Sequence, residues 1–203
     1  QLYSRVLRFF GIGESQLVTV LADLIDKQTD PTLAPYAKVG EVTLRLSTKA
    51  DSQEEANVRL NQLEEEILQR DHLRVFFYAY GDDNSLVKTV ATLLEEKKQS
   101  LGILENGTGG LLQAELSLAL AGQPYYSGGK IISQLGTESG GLSEEASRIR
   151  EELQADLGLV VSVAVKPEST VDNVLAKVYL ALASTSGISK KEVDLGGYSW
   201  QYL

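Results

Sequence analysis

The order of apolar and polar positions divides the first part of the chain into strands and helices. Apolar residues crowd Tyr3 to Phe10, which predicts a strand that ends at a glycine turn. From Glu14 to Gln28 apolar residues recur every three or four positions, the period of one amphipathic helix. Thr29 to Gly40 contains Pro31 and Pro35, which predicts a loop. The other elements predicted here are a strand at 41–47, a helix that Asp51 or Ser52 can cap and that runs to about Arg70, and a strand at 73–80.

The second part of the chain places short apolar runs between helical periods, a pattern typical of an α/β domain. Leu101 to Leu104 predicts a buried strand, and the residues from Leu111 onward are apolar at helical spacing. Ser143 precedes two glutamates and is expected to cap a helix. The predicted elements are helices at 86–99, 110–121 and 143–157, strands at 101–104, 130–133, 159–165 and 177–183, and a polar C-terminal stretch.

These elements predict an α/β protein of two domains. Residues 1–83 are expected to form a small α+β sandwich, because two helices on one face of a short sheet satisfy its need for burial. Residues 84–203 are expected to form the second domain. A chain of 203 residues is long enough for each domain to bury a core of its own.

Composition narrows the chemistry of the protein. The formal net charge is −9 and the pI is near 4.7. A surface with this excess of negative charge repels polyanions, so no nucleic-acid partner is expected. The chain has no cysteine and a single histidine, His72, which excludes disulfides, thiolate catalysis and a multi-histidine metal site; no metal or cofactor is expected.

Targeting signals are equally sparse. No apolar run approaches the roughly 20 residues that a membrane helix needs, and the start of the chain lacks a secretory signal. We therefore expect a cytoplasmic protein without membrane contact. The chain starts without Met and leads directly into a strand, so we expect it to begin inside a longer protein.

The turn at 105–110 carries the candidate chemistry. It joins a strand to a helix, so the free N–H groups and the positive end of the helix dipole gather there. Gly107, Gly109 and Gly110 let a ligand approach the main chain, and they are the candidate ligand-binding residues. Thr108 is expected to cap the helix. Such a turn suits a phosphate, a carboxylate or an oxyanion.

The string Asn106-Gly107-Thr108-Gly109-Gly110 resembles the Ser-Cys-Thr-Gly-Gly turn of the competence/damage-inducible CinA family. Phe10 to Ser15 and Asp30 to Lys38 resemble the KH-like middle domain of the same family. The resemblance implies a KH-like domain over residues 1–83. For residues 84–203 it implies a three-layer α/β domain like the C-terminal domain of the family. In the family, that domain is a nicotinamide mononucleotide amidase.

The resemblance also implies partners. Family members resemble dimers, so a homodimer is expected, and the alternating Tyr198, Trp200 and Tyr202 suit a half-buried terminal strand or a subunit contact. The implied ligand is a nicotinamide nucleotide. The family's N-terminal domain, which resembles molybdopterin-binding proteins and is linked to ADP-ribose hydrolysis, is absent from the sequence and would be a partner in cis.

Four departures from the family pattern bear on catalysis. Asn106 stands where the family has a serine, and it has no nucleophilic oxygen. After Tyr126 the family's second tyrosine, asparagine and lysine are missing around 133–141, a deletion of about 15 residues. At 161–167 both family glycines are replaced, although Ser162 can imitate a family threonine. Residues 196–198 read Gly-Gly-Tyr where Gly-Asp-Arg is expected.

We therefore expect a catalytically inactive second domain that serves structure, dimerisation or nucleotide sensing, with Asn106, Thr108, Tyr126 and Ser162 as remnants of a pocket. One alternative is a working nicotinamide mononucleotide amidase that uses Thr108 or Ser162 with Tyr126 and releases ammonia. Another is a purely scaffolding role for the absent N-terminal domain. The KH-like domain has no Gly-x-x-Gly clamp and no basic face, so RNA binding is not expected.

Overall fold

A computed structural model of the protein describes residues 1–38, 40–133, 139–170 and 173–198. The chain forms two compact units, residues 1–89 and residues 90–203, and each unit has its own sheet. Helices and strands are mixed in both units, which confirms the α/β class predicted from the sequence.

The first unit contains a four-stranded antiparallel sheet in the order β2-β3-β1-β4, so β1 and β3 are its central strands. Three helices and a 3-10 turn accompany the sheet. The strands are β1 (Leu2–Phe10), β2 (Thr32–Lys38), β3 (Glu41–Lys49) and β4 (Phe77–Tyr80), the helices are α1 (Glu14–Val20), α2 (Ala22–Lys27) and α3 (Gln53–Leu68), and the 3-10 turn is Arg70–Val75.

The core of the first unit lies between the sheet and its helices. Leu7 and Phe9 of β1 are fully buried against leucines that include Leu17 of α1 and Leu60 of α3. Of the two predicted caps, Asp51 and Ser52, it is Ser52 that caps α3, since its Oγ accepts a hydrogen bond of 3.2 Å from an N–H of the first turn. Helices over one face of a short sheet thus satisfy its burial, as the sequence indicated.

The segment at 29–40, predicted to be a loop because of its prolines, instead contains strand β2. Pro35 lies inside that strand, opposite Leu44 of β3. Proline cannot donate to a strand ladder, but β2 pairs only with β3 and forms the edge of the sheet, where a missing donor is tolerated. The prediction was wrong because proline excludes helices and central strands, not edge strands.

Two further predictions in this unit were too long. The helix expected at 14–28 is two helices, α1 and α2, separated at Leu21. Only Phe77–Tyr80 of the strand expected at 73–80 is a strand. The preceding residues form the 3-10 turn, in which Asp71 and His72 have positive φ angles of 37° and 58°. Apolar periodicity does not record such local backbone reversals.

The second unit contains a five-stranded mixed sheet in the order β6-β5-β7-β8-β9. Strand β5 pairs in parallel with both β6 and β7, and β7, β8 and β9 continue the sheet in antiparallel pairs. The strands are β5 (Leu101–Asn106), β6 (Tyr126–Ile132), β7 (Leu157–Val165), β8 (Val174–Ser184) and β9 (Gly187–Tyr198), and the helices are α5 (Leu111–Ala119), α6 (Ser139–Glu152) and residues 90–97 of α4 (Leu86–Lys97), which begins before the unit boundary.

Helices lie on both faces of this second sheet, which confirms three layers. Helices α4 and α5 pack over Ile103, and α6 packs over Leu104 on the other face. Gly102 and Gly158 are paired in adjacent strands. A Cβ on Gly158 would lie 2.1 Å from the carbonyl oxygen of Ala146 in α6. Only glycine permits this approach, so α6 packs directly on the central strands.

The ends of the elements in the second unit differ in two places from those predicted. Helix α6 begins at Ser139, so Ser143 lies inside the helix and does not cap it. The expected polar C-terminal stretch contains β9, an edge strand rich in charged residues, which discourages pairing with a further strand. Tyr198 ends β9, whereas Trp200 and Tyr202 lie outside the described residues.

Candidate functional site

Three of the four candidate pocket residues, Asn106, Thr108 and Ser162, lie at the carboxyl end of β5. This strand lies between two parallel neighbours, and ligands of α/β sheets commonly bind where such strands end. After Asn106 the chain turns through residues 107–110 and enters α5 at Leu111. The predicted order of strand, glycine turn and helix is therefore confirmed.

Helix α5 is capped by Glu105, a residue predicted from the sequence only to belong to the turn. The Glu105 side chain is fully buried at the end of β5. Its Oε1 accepts from the main-chain nitrogen of Gln113 at 2.8 Å, and its Oε2 accepts from that of Leu112 at 3.2 Å. A carboxylate at a helix N-terminus satisfies free N–H groups and complements the helix dipole.

Thr108, which was expected to cap α5, instead supports Glu105. Its hydroxyl donates to Oε2 of Glu105 at 2.5 Å. The residue at the N-cap is Gly110, in a left-handed conformation and without a side-chain bond to the helix. The expected cap was wrong in its acceptor, because the N–H groups of Leu112 and Gln113 donate to Glu105. Thr108 accepts only from the main-chain nitrogen of Gly110, at 3.4 Å. An acidic residue just before a turn of this kind is the signal that could have identified it.

Asn106 and Ser162 form a bridge across three strands. The Asn106 Nδ2 donates to the carbonyl oxygen of Ile132 in β6 at 3.0 Å. Its Oδ1 accepts from the Ser162 hydroxyl of β7, also at 3.0 Å. Ser162 is fully buried. Both ends of the amide are thus engaged inside the sheet, and the hydroxyl proton of Ser162 is directed at Asn106.

Tyr126 lies at the end of the sheet opposite to Asn106 and contacts the candidate site only through another residue. It opens β6 opposite Leu101, the first residue of β5. Its hydroxyl donates to Oε1 of Gln113 at 3.4 Å. Burial, followed by the negative charge of Glu105, raises the pKa of Tyr126 above its ordinary value. Gln113 therefore links Tyr126 to the cap of α5.

Strand alternation separates these residues into two groups. Glu105 alternates with Ile103 and belongs to the face covered by α4 and α5, together with its partners Thr108 and Gln113. Asn106 alternates with Leu104, which packs against α6. The structure therefore pairs Asn106 with Ser162 and joins Thr108 to Tyr126 through two other residues.

Two of the three candidate glycines are enclosed by the chain itself. A Cβ on Gly107 would lie 2.6 Å from the carbonyl oxygen of Val163, and one on Gly110 would lie 2.4 Å from Cδ1 of Ile131. Of these three glycines, only Gly109 faces open space. Their φ angles are +78°, +85° and +65°, respectively. Gly107 and Gly110 thus serve close packing of the turn, and Gly109 alone leaves room beside the main chain.

The remaining departures from the family pattern are partly visible. Residues 134–138, within the predicted deletion, lie outside the described residues. Lys166 stands in place of a family glycine, and its Nζ lies 3.0 Å from Oδ1 of Asp194 in β9. The string at 196–198 forms the end of β9. Lys166 therefore contributes an ion pair between strands where the resemblance implies an open main chain.

The described parts of the chain contain neither a candidate metal site nor a candidate membrane-spanning helix. No group of three or more histidine, cysteine, aspartate or glutamate residues could hold a metal ion there. In the same residues no helix combines the length and apolar character needed to cross a membrane.

The fold and the site define an α/β protein of two units whose second sheet carries a glycine turn between its central parallel strand and a helix. The chain belongs to the CinA family. Residues 4–79 match the family described as Damage-inducible protein CinA KH domain. That match covers the first unit, so the KH-like resemblance of the sequence is confirmed.

Relatives extend the similarity over the second unit. A putative competence-damage inducible protein of Streptococcus suis strain 98HAH33 is 82% identical over 203 residues, which are 100% of this chain and 52% of the relative. One of Streptococcus pneumoniae strain ATCC 700669 is 42% identical over 222 positions, covering 98% of this chain and 53% of the relative. The chain thus spans about half the length of the curated relatives that it matches.

A solved structure is similar over part of the chain. The competence damage-inducible protein A (ComA) from Klebsiella pneumoniae subsp. pneumoniae MGH 78578 is 20% identical and covers 57% of this chain and 84% of its own, with a TM-score of 0.47. The strand order described above, rather than this superposition, defines the fold.

The two alignments differ in length. The 222 positions shared with the Streptococcus pneumoniae relative exceed the 203 residues of the chain, so that relative has residues that the chain lacks. The alignment with the Streptococcus suis relative has no such excess.

Proposed function

We propose that the second unit is a catalytically inactive relative of the family's nicotinamide-nucleotide amidase, which serves structure, dimerisation or nucleotide sensing. The observation that carries the proposal is the state of Asn106. The resemblance implies a hydroxyl nucleophile at this position, but the amide of Asn106 has none, and both of its ends are bound to neighbouring strands.

The other candidate hydroxyl on the same side of the sheet is equally engaged. Ser162 is buried and donates to Asn106, so an acyl group could reach its oxygen only after the bridge opens. Packing against Val163 and Ile131 fills the space beside Gly107 and Gly110. These contacts support a turn that maintains the fold of the sheet rather than one that binds a reacting group.

The length of the alignments supports the proposed loss as well. A deletion after β6 would remove residues that the resemblance assigns to the active site, and the excess in the Streptococcus pneumoniae alignment is of the size that such a deletion needs. The Streptococcus suis relative aligns without excess, so it would share the shortened connection and, with it, the inactive state.

The partners and the place of action belong to the same proposal. The chain acts in the cytoplasm, in pyridine nucleotide metabolism, as a homodimer. A nicotinamide nucleotide is its ligand where the unit acts as a sensor. The relatives are about twice as long as the chain, and their remaining half supplies the domain that works with these two units in cis.

A second function, hydrolysis of nicotinamide mononucleotide, is favoured by one contact. The Thr108 hydroxyl donates to the carboxylate of Glu105 at 2.5 Å, and a hydroxyl beside a base is the arrangement of an activated nucleophile. Against it, both carboxylate oxygens already accept main-chain N–H groups of α5, so the carboxylate is committed to the cap.

The decisive experiment incubates the full chain with excess nicotinamide mononucleotide and measures ammonia and nicotinic acid mononucleotide over time. The expected result is no product beyond that of the buffer control. Turnover that Thr108→Ala abolishes and Ser117→Ala leaves unchanged would overturn the proposal, because Ser117 is an exposed hydroxyl on α5, the helix that follows the turn of Thr108.

A thermal unfolding series with the same nucleotide distinguishes sensing from a purely structural role. A ligand that binds only the folded chain raises the unfolding temperature as its concentration rises above the dissociation constant. Sedimentation velocity on the same sample reports whether the chain is a dimer. A nucleotide-dependent rise assigns sensing, and its absence leaves structure and dimerisation as the role.

A further inference from the structure

Asn106 differs from every other asparagine of the chain in its neighbour. It precedes Gly107, whereas none of the other asparagines precedes a glycine: Asn57, Asn61, Asn84 and Asn173. Glycine has no Cβ to obstruct the approach of its own main-chain nitrogen to the preceding side chain. Asn-Gly is for this reason a sequence prone to intramolecular attack on the amide.

We propose that Asn106 is a deamidation site that the folded sheet holds inactive through the two hydrogen bonds of its side chain. The main-chain nitrogen of Gly107 loses its proton to base and bonds to Cγ of Asn106. Nδ2 takes up a proton from the protonated base or from water, the bond between Cγ and Nδ2 breaks, and Nδ2 leaves as ammonia. Water then opens the resulting succinimide at either carbonyl, which yields aspartate or isoaspartate.

The fold opposes the first step in two ways. Asn106 is the last paired residue of β5, opposite Ile132 on one side and Ser162 on the other. Ring closure requires a rotation that takes Asn106 out of the extended conformation of a strand. It also requires Cγ to leave its place, which breaks the two side-chain bonds of 3.0 Å and leaves the buried Ser162 hydroxyl without its acceptor.

The product cannot restore the bridge. An aspartate at 106 has no N–H to donate to the carbonyl oxygen of Ile132, and its negative oxygen would face that carbonyl. Isoaspartate adds a carbon atom to the main chain at the end of β5. Either product weakens the attachment of β6, which is an edge strand paired in the sheet only with β5. Deamidation therefore marks chains in which this end of the sheet has opened.

The test incubates the full chain in mildly alkaline buffer and follows the peptide that contains Asn106 by mass spectrometry, with chromatographic separation of aspartate and isoaspartate. The same chain unfolded in urea gives the reference rate. Two variants are compared with the native chain. Ser162→Ala removes the hydroxyl that binds Asn106, and Ser100→Ala removes a hydroxyl that binds Asp156 beside the opposite end of β5.

The unfolded chain is expected to deamidate at Asn106 at least about tenfold faster than the folded chain, since local opening limits the folded rate. The deamidation rate of folded Ser162→Ala is expected to lie between the rates of the folded and unfolded native chain. The rate of Ser100→Ala is expected to equal that of the folded native chain. Equal rates in the folded and unfolded native chain, or equal rates in the two folded variants, would overturn the proposal. If Ser162→Ala does not fold, the native comparison still decides.

The reaction is independent of the proposed loss of amidase activity. It needs no nucleotide and releases at most one ammonia for each Asn106, whereas amidase turnover needs the nucleotide and continues beyond that amount. Failure of either proposal is therefore recognised separately.

Discussion

The Glu105 carboxylate accepts a hydrogen bond of 2.8 Å from the main-chain nitrogen of Gln113, so the end of strand β5 caps the helix that follows it. This contact lies at the centre of the candidate site. The negatively charged carboxylate of Glu105 thus occupies the positive end of the α5 dipole. The stability of the turn and of α5 should therefore depend on this one buried side chain.

Glu105→Ala is expected to lower the free energy of unfolding by about 2–4 kcal/mol, because it removes the cap and leaves buried N–H groups of the helix unsatisfied. Urea unfolding followed by circular dichroism measures the loss. Glu115→Ala, an exposed position on the same helix, should change stability by less than about 0.5 kcal/mol. Similar losses in both variants would contradict the assigned cap.

The three glycines of the turn should differ in their tolerance of a side chain. Gly107→Ala would place a Cβ 2.6 Å from a main-chain oxygen, and Gly110→Ala would place one 2.4 Å from the end of the Ile131 side chain, which can move. Gly109→Ala meets nothing within 4 Å and costs only its positive φ, about 1 kcal/mol. Thermal unfolding should rank the loss as Gly107, then Gly110, then Gly109. A Gly109 variant as unstable as the Gly107 variant would show that the packing described for Gly107 is not decisive.

In the first unit, the guanidinium of Arg8 is almost fully buried and joins three parts of the sheet. It donates to the Tyr78 hydroxyl at 2.8 Å, to the carbonyl oxygens of Gly81 and Asp82 at 3.1 and 3.0 Å, and to the carboxylate of Glu41. Arg8→Met is expected to cost about 3–5 kcal/mol, because it leaves Glu41 without its buried counter-charge.

The matched control is Arg45→Met. Arg45 also pairs with a carboxylate, that of Asp82 at 2.8 Å, but both side chains of this pair are exposed. Surface pairs of this kind contribute about 0–1 kcal/mol. Chemical denaturation of the two variants should therefore separate them clearly, and equal stability would refute the structural role of Arg8.

Acid should weaken the second unit through Asp156. Hydrogen bonds from the main-chain nitrogen and then the hydroxyl of Ser100 lower the pKa of Asp156 below its ordinary value. A lowered folded-state pKa stabilises the protein above the unfolded pKa, about 3.9, and this stability is lost as the pH falls through the folded value.

The unfolding temperature of the native chain should therefore decline below about pH 4, and Asp156→Asn should flatten that decline. Ser100→Ala keeps the main-chain donor and should flatten it only in part. Calorimetry across the acid range measures all three slopes. If the unfolding temperature of Asp156→Asn declined with pH as steeply as that of the native chain, Asp156 would not contribute to the acid sensitivity.

Much of the fold followed from the pattern of apolar residues. The helix that begins after Ser52 and the strand at Leu101 were placed by local signals, a capping side chain and a buried apolar run, that act over a few residues. The strand around Pro35 could not be placed in this way. Proline forbids a central strand and allows an edge strand, and only the order of the sheet decides which of the two applies.

The candidate site divides similarly. The glycine turn before α5 was evident from its sequence, and Asn106 was identified as a position without a nucleophile. The cap was assigned to Thr108, because capping preferences consider neighbours along the chain. The buried carboxylate of Glu105 accepts from main-chain nitrogens seven and eight residues further along the chain, in α5, a contact that only the folded turn brings about.

By itself, the sequence determined the alternation of strands and helices, the CinA resemblance and the absence of a hydroxyl at position 106, since each depends on residue type and short-range spacing. Only the tertiary structure decided that Asn106 bridges to Ser162, that Tyr126 begins at the opposite end of the sheet, and that Gly109 alone of the three glycines faces open space. These relationships join residues far apart in the chain, and strand register and helix packing bring such residues together.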